Sequence, residues 1–113
     1  MDKKQLNNTI TEIVTPSGEV IRATLNFFLL YGVKTKYPEV YKRFNNVMMG
    51  NMEDVFDAVD ILYTAYLCAL DDDQAPMSYE DFMLLFEDDV QGLMREAMKL
   101  LSRKKKAGSG TRS

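Results

Sequence analysis

The run of three carboxylates at Asp71–Asp73 is the segment of this chain whose residue types best suit a metal ion. A calcium loop of the EF-hand type needs oxygen ligands at its first, third and fifth positions, glycine at the sixth and glutamate at the twelfth. Counted from Asp71, the fifth, sixth and twelfth positions hold Ala75, Pro76 and Phe82. The run therefore predicts a solvated loop between two helices, and no metal site.

A second pair of carboxylates, Asp57 and Asp60, has the spacing of neighbours on one helix face. Two such groups can divide the roles of acid and base when a cleft raises the pKa of one of them. Glu53 and Asp54 precede them in the same polar pattern, which is typical of a solvent-facing helix surface. We expect all four side chains to be solvated.

Several residue types that most catalytic sites require are missing from the chain. It contains no His and a single Cys, Cys68, so triads that depend on His and zinc sites rich in Cys are excluded. Neither of the glycine-rich phosphate-binding motifs occurs. The sequence therefore predicts no catalytic residues, no cofactor and no metal, and indicates a protein that works by binding.

The composition is that of one small folded domain. Among 113 residues, 46% are hydrophobic and 27% are charged, which is too apolar for a disordered chain. The polar N-terminus lacks the apolar segment of a signal peptide, and the longest apolar stretches, Phe27–Tyr31 and Ile61–Leu70, do not reach membrane-spanning length. A cytoplasmic protein without a membrane partner is expected.

Charge is strongly segregated along the chain. Residues 44–94 contain twelve Asp or Glu and no Lys or Arg, whereas residues 95–113 contain seven Lys or Arg and one Glu. An acidic surface of this kind favours solubility, or complements a basic partner or the basic ends of a second copy in a homo-oligomer. The basic run Arg103–Lys106 is too short for more than weak nucleic-acid binding, so no nucleic-acid partner is predicted.

Residue patterns in the first half predict a hairpin followed by two helices. Ile10–Thr15 and Val20–Leu25 are rich in β-branched residues and flank a turn signal at Pro16–Glu19, although a helix from Ser17 is the competing interpretation. A short buried helix is expected over Leu25–Lys36. A second helix is expected from Tyr37 and Pro38 to Gly50.

The second half predicts two or three helices with an acidic loop between them. One helix is expected to start at Asn51 and run to Leu70, and its second half is apolar on nearly all sides, so it should be central or bound to a partner. Ser78 resembles a helix cap. A single helix over residues 79–102 is possible, but the acidic run Glu87–Asp89 favours a break.

These elements predict a mainly α fold: one small domain of four to five helices with a short N-terminal β-hairpin. The helical domain is expected to cover residues 10–102, between a flexible N-terminus at 1–9 and a disordered basic, Gly/Ser-rich tail at 103–113.

Apolar side chains on these helices are the candidates for contact with a partner. Helical spacing and the adaptability of Met select a partner-binding set. Its members are Tyr63, Tyr66, Leu67, Leu70, Phe82, Phe86, Met48 and Met52. The aromatic residues between Phe27 and Phe44 are expected to lie mostly in the core, although their density leaves room for an exposed patch.

The order of these elements resembles the tail assembly chaperones of long-tailed phages and prophages of Gram-positive bacteria. The resemblance covers roughly residues 10–106 and concerns element order, size and composition, without a sharp motif. It rests, after the N-terminal β-type segment, on Leu25–Gly32, Met48–Gly50, Val55–Leu70, Met77–Phe82 and the final Lys104–Lys106.

The resemblance implies a chaperone that binds the long helical tape measure protein in the host cytoplasm and keeps it soluble during virion assembly. Tail tube subunits polymerise around that client, and the chaperone is absent from the mature virion. Two alternatives remain open from the sequence: an acidic DNA mimic that inhibits a nucleic-acid-binding protein, and a small structural virion component such as a head–tail connector. An enzyme that depends on carboxylates is the least favoured.

Overall fold

A computed structural model describes residues 10–50 and 52–110 of the chain, with side chains described as far as residue 102. The mainly helical fold with an N-terminal hairpin is confirmed. The elements are β1 (Thr11–Val14), β2 (Val20–Ala23), α1 (Phe27–Lys36), α2 (Pro38–Met49), α3 (Val55–Ala69), α4 (Tyr79–Leu84) and α5 (Val90–Gly110).

The structure confirms the predicted hairpin and not the alternative, a helix from Ser17. β1 and β2 are antiparallel, and Val14 pairs with Val20 on either side of the turn. Gly18 has a φ of 94°, a left-handed conformation that glycine adopts without a steric penalty. Beyond β2, the amide of Thr24 donates to the carbonyl of Ala65 at 3.1 Å, which joins the hairpin to α3.

The first two helices begin and end at residues with a clear physical role. Asn26 caps α1, because its Oδ1 accepts from the amide of Phe28 at 2.9 Å, so the helix starts two residues later than predicted. Pro38 opens α2 and Gly50 follows its last residue, as the sequence predicted.

The start of α3 differs from the prediction. The expected first residue, Asn51, lies outside the described residues, and the helix begins only at Val55. Asp54 and Asp57 form a reciprocal capping box: Asp54 Oδ1 accepts from the amide of Asp57 at 3.1 Å, and Asp57 Oδ2 accepts from that of Asp54 at 3.2 Å. Asp57 therefore stabilises the first turn of the helix.

Helix α3 is the centre of the domain. Every residue from Ala58 to Ala69 is buried, and the hairpin and all four other helices pack against this one helix. The sequence left open whether the second half of this helix is central or bound to a partner. It is central, because other elements of the same domain cover it.

Two separate helices follow, as the acidic run indicated. Ser78 Oγ accepts from the amide of Asp81 at 3.0 Å and starts α4, while Asp89 Oδ1 accepts from that of Gly92 at 2.9 Å and starts α5.

The backbone of α5 continues to Gly110, beyond the predicted domain end at residue 102. The predicted flexible N-terminus lies outside the described residues, as do residues 111–113.

Thr64 provides a first test of this core. Its hydroxyl is fully buried in α3 without a hydrogen-bond partner, and such a group loses its hydration without compensation. Thr64→Val replaces the hydroxyl with a methyl of similar size and is expected to raise the free energy of unfolding by about 1 kcal/mol. Urea denaturation of both proteins measures the difference. A less stable variant would show that the hydroxyl forms a stabilising bond.

Candidate protein-binding surface

Five of the eight residues predicted to contact a partner are buried inside the domain. They are Tyr63, Tyr66, Leu67, Phe82 and Phe86. Leu70 and Met52 are half-buried, and Met48 is exposed. Apolar residues on all sides of a helix are what a central helix requires, and this explains why the predicted set falls largely on the core.

An aromatic cluster holds α4 against α3. Phe82, with no exposed surface, has its ring centroid 5.3 Å from those of Tyr63 and Tyr66 and 5.5 Å from that of Phe86. The hydroxyl of Tyr63 donates to the carbonyl of Met77 at 2.7 Å, and that of Tyr66 accepts from its amide at 2.9 Å. Both polar groups are thus satisfied within the domain, so the cluster acts in packing.

Asp60 is buried, which corrects the prediction that it is solvated. Only 9% of the residue is exposed, and its Oδ1 accepts from the hydroxyl of Tyr79 at 2.9 Å and from Nε of Arg43 at 3.3 Å. The guanidinium of Arg43 also lies 4.7 Å from the centroid of the Tyr79 ring. One residue comes from each of α2, α3 and α4, so the network ties three helices together.

Burial governs the titration of this network. Desolvation raises the pKa of Asp60 above its ordinary value, and the bonds from Tyr79 and Arg43 only partly offset the rise. Desolvation and the bond to Asp60 likewise raise the pKa of Tyr79. The neighbouring carboxylate, Asp57, is committed to the cap of α3. Both carboxylates therefore have a structural role: Asp60 through its bonds to Tyr79 and Arg43, and Asp57 through its bonds at the start of α3.

The raised pKa of Asp60 predicts how stability depends on pH. The folded state binds this proton more tightly than the unfolded state, so stability is lost as pH rises from the ordinary pKa of 3.8 through the folded value. Asp60→Asn removes that loss. Wild type should become progressively less stable relative to the variant as pH rises above 3.8, as urea denaturation at a series of pH values would measure. The opposite trend would mean that the attraction to Arg43 outweighs desolvation.

The aromatic face of α1 is the largest departure from the expected core. Phe27 is 83% exposed, Phe28 53% and Tyr31 68%, while Leu29, Leu30 and Val33 of the same helix are buried. The description of this helix as buried was therefore right for one side only. Three large aromatic side chains close together on one short helix are an apolar patch of the kind that marks an interaction site.

A groove lies beside this face, between α1 and the end of α3. Its volume is about 580 Å³, and its apolar lining includes Phe28 and Tyr31 from α1, Leu67 from α3 and Leu70, which follows the last residue of α3. Two residues of the predicted partner-binding set, Leu67 and Leu70, thus border the surface that the structure exposes.

The loop at the rim of the groove is charged. Asp71 lines the groove, and Asp73 lies two positions further along the same loop. Both are exposed, and neither carboxylate forms an ion pair within the described part of the chain. The two lysines of α1 are engaged: Lys36 Nζ lies 3.3 Å from Asp72, and Lys34 Nζ lies 5.7 Å from the centroid of the Tyr41 ring. The loop side of the groove therefore offers negative charge to a partner.

A second groove, of about 800 Å³, lies between β1 and α5. Val14 and Met98 are its exposed apolar residues, and Arg95, Glu96 and Lys99 interrupt them with both signs of charge. It contains no aromatic side chain. The α1 groove, with its continuous aromatic face, is the stronger candidate for protein binding.

Helix starts account for many residues of the acidic segment. Asp54 and Asp57 start α3, Glu80 and Asp81 lie in the first turn of α4, and Asp89 caps α5. Negative charge at these positions stabilises helices through their dipoles and free amides. Their placement is explained by the fold and needs no mimicry of DNA by this chain.

No protein-family model, curated protein or solved structure matches this chain. In the part of the chain that the structure describes, no helix combines the length and apolarity of a membrane span. Within the same residues, no group of Cys, Asp or Glu side chains is arranged to hold a metal ion.

Proposed function

We propose that this chain is a phage tail assembly chaperone, which binds the tape measure protein without catalysis and keeps it soluble while the tail is built. One observation carries the proposal: the aromatic face of α1, Phe27, Phe28 and Tyr31, is exposed beside an apolar groove. The resemblance in element order to such chaperones supplies the identity of the client.

The chemistry of this surface suits a helical client. An amphipathic helix binds in an apolar groove through anchors spaced along one face. Helix α1 has 10 residues and is therefore about 15 Å long, room for roughly three turns of a client helix beside it. Aromatic side chains give large contact areas with little loss of conformational entropy, so they are frequent anchors at protein interfaces.

The same proposal accounts for the acidic middle of the chain. A complex that covers apolar segments of a long client stays soluble when its outer surface carries net charge. The chaperone would act in the host cytoplasm, could contact the tail tube protein or a second copy of itself, and would leave before the virion is complete.

Co-expression tests this function. The tape measure protein from the same genome should be largely insoluble alone, and soluble and co-purified when this chain is produced with it. Mass spectrometry of purified mature particles should then detect the tape measure protein but not this chain. A client that stays insoluble and unbound in the presence of this chain would refute the proposal.

A further inference from the structure

Gly32 is placed in the middle of α1, where glycine weakens a helix relative to alanine. Two structural reasons for such a glycine are a left-handed backbone and close packing against a neighbour. Neither applies, because Gly18 is the glycine with positive φ among the described residues, and a Cβ built on Gly32 meets no atom within 4 Å. The missing side chain leaves open space.

That open space lies in the groove. Phe28, Gly32 and Lys36 are four residues apart, so they form one stripe along α1, and all three line the groove. Gly32 is thus a notch between an aromatic ring and a lysine. Leu67 of α3 and Leu70, which follows that helix, line the groove on its other side and contribute apolar surface.

We propose that the notch at Gly32 receives a large apolar anchor residue from an amphipathic helix of the client, an inference that rests on the proposed function. The notch, in a groove that Phe28, Leu67 and Leu70 also line, suits one bulky side chain of a helix lying along α1. Gly32 is kept without a side chain because any side chain there would occupy the anchor's place.

The negative charge at the rim indicates which residues of the client helix should lie beside its apolar anchor. The carboxylates of Asp71 and Asp73 are exposed on the loop that borders the groove, and they have no ion-pair partner within the described residues. A client helix with Lys or Arg close to its apolar anchor complements them. The occupant is therefore a basic amphipathic helix, and its binding should weaken as salt increases.

Enlarging residue 32 tests the notch directly. Gly32→Ala and Gly32→Leu should both raise the thermal unfolding midpoint, because each is a better helix former and meets open space. The probe is a fluorescent peptide of about 20 residues, a helix of about 30 Å, chosen as the tightest binder from an overlapping set that covers the tape measure protein. Affinity should fall with side-chain size, by about ten-fold or more for leucine.

Thr35→Leu is the matched control, since it adds the same side chain at an exposed position of α1 that does not line the groove. It should bind the peptide as wild type does. A stable Gly32→Leu protein with unchanged affinity would overturn the anchor site and leave the proposed function standing. Failure of wild type to bind any of the peptides or the whole tape measure protein would refute the proposed function itself.

Charge reversal tests the rim. The double change Asp71→Lys with Asp73→Lys should weaken peptide binding by about ten-fold at low salt and flatten its salt dependence. Glu87→Lys with Asp88→Lys alters net charge equally at exposed positions outside the groove and should have little effect. Equal effects from the two double variants would overturn the assignment of the basic partner residues to this rim.

Discussion

Phe82→Ala is expected to lower the free energy of unfolding by about 3–5 kcal/mol, a large share of the stability of a domain of this size. Phe82 is fully buried and its ring contacts those of Tyr63, Tyr66 and Phe86, so truncation leaves a cavity where α4 packs on α3. Urea denaturation of the isolated protein, followed by far-UV circular dichroism, measures the change.

Leu84→Ala is the control, because Leu84 lies on the same short helix but is 61% exposed. It should change the free energy of unfolding by less than about 0.5 kcal/mol. The comparison separates the two roles considered for Phe82. A Phe82→Ala protein as stable as wild type but unable to bind the tape measure protein would return Phe82 to the contact role that the sequence predicted.

Replacing the α1 aromatic residues is expected to have the largest effect on binding. With Phe27→Gln, Phe28→Gln and Tyr31→Gln combined, affinity for the client should fall by about 100-fold or more, since aromatic anchors commonly contribute 2 kcal/mol or more each. The fold should survive, because most of the surface of these side chains is already in water. Pull-down of co-expressed tape measure protein and thermal unfolding measure the two effects.

The control removes exposed apolar surface elsewhere. Met49→Gln, Phe56→Gln and Leu84→Gln change three side chains that are each more than half exposed and lie on α2, α3 and α4. This triple variant should keep the client soluble. Loss of the client from the control but not from the α1 variant would place the contact surface away from α1.

Local sequence signals predicted the parts of the fold that local physics determines. The turn with Pro16 and Gly18 located the hairpin, and the apolar second half of α3 located the centre of the domain. The acidic run before α5 indicated the break between the last two helices, because Asp89 supplies the cap that the first turn needs.

The start of α3 shows why helix boundaries are harder to predict. Asn51 and Asp54 are both residue types that cap helices, and only three positions separate them. The structure uses Asp54 because Asp57 reaches back to its amide and completes a capping box. An Asp in place of the usual Glu or Gln at that position hides this pattern in the sequence.

Long-range partners explain what the sequence could not predict. Asp60 has the spacing of a solvated carboxylate, and it is buried only because Arg43, 17 positions before it, and Tyr79, 19 positions after it, both bind it. Helix α1 has apolar residues on every side up to Val33, so its sequence carries no polar face that shows which side meets water. Which side of α1 is exposed depends on the packing of α2 and α3, which cover the opposite side of the helix.

Amide hydrogen exchange of this chain, alone and saturated with the tape measure protein, tests most directly whether α1 is the client-binding surface. Protection gained on binding should be concentrated in Phe27–Lys36 and in residues 71–74, which border the groove. Amides of α3 should change little, because that helix is already buried in the free protein. A stable complex that gains protection only in β1 and α5 would contradict the account.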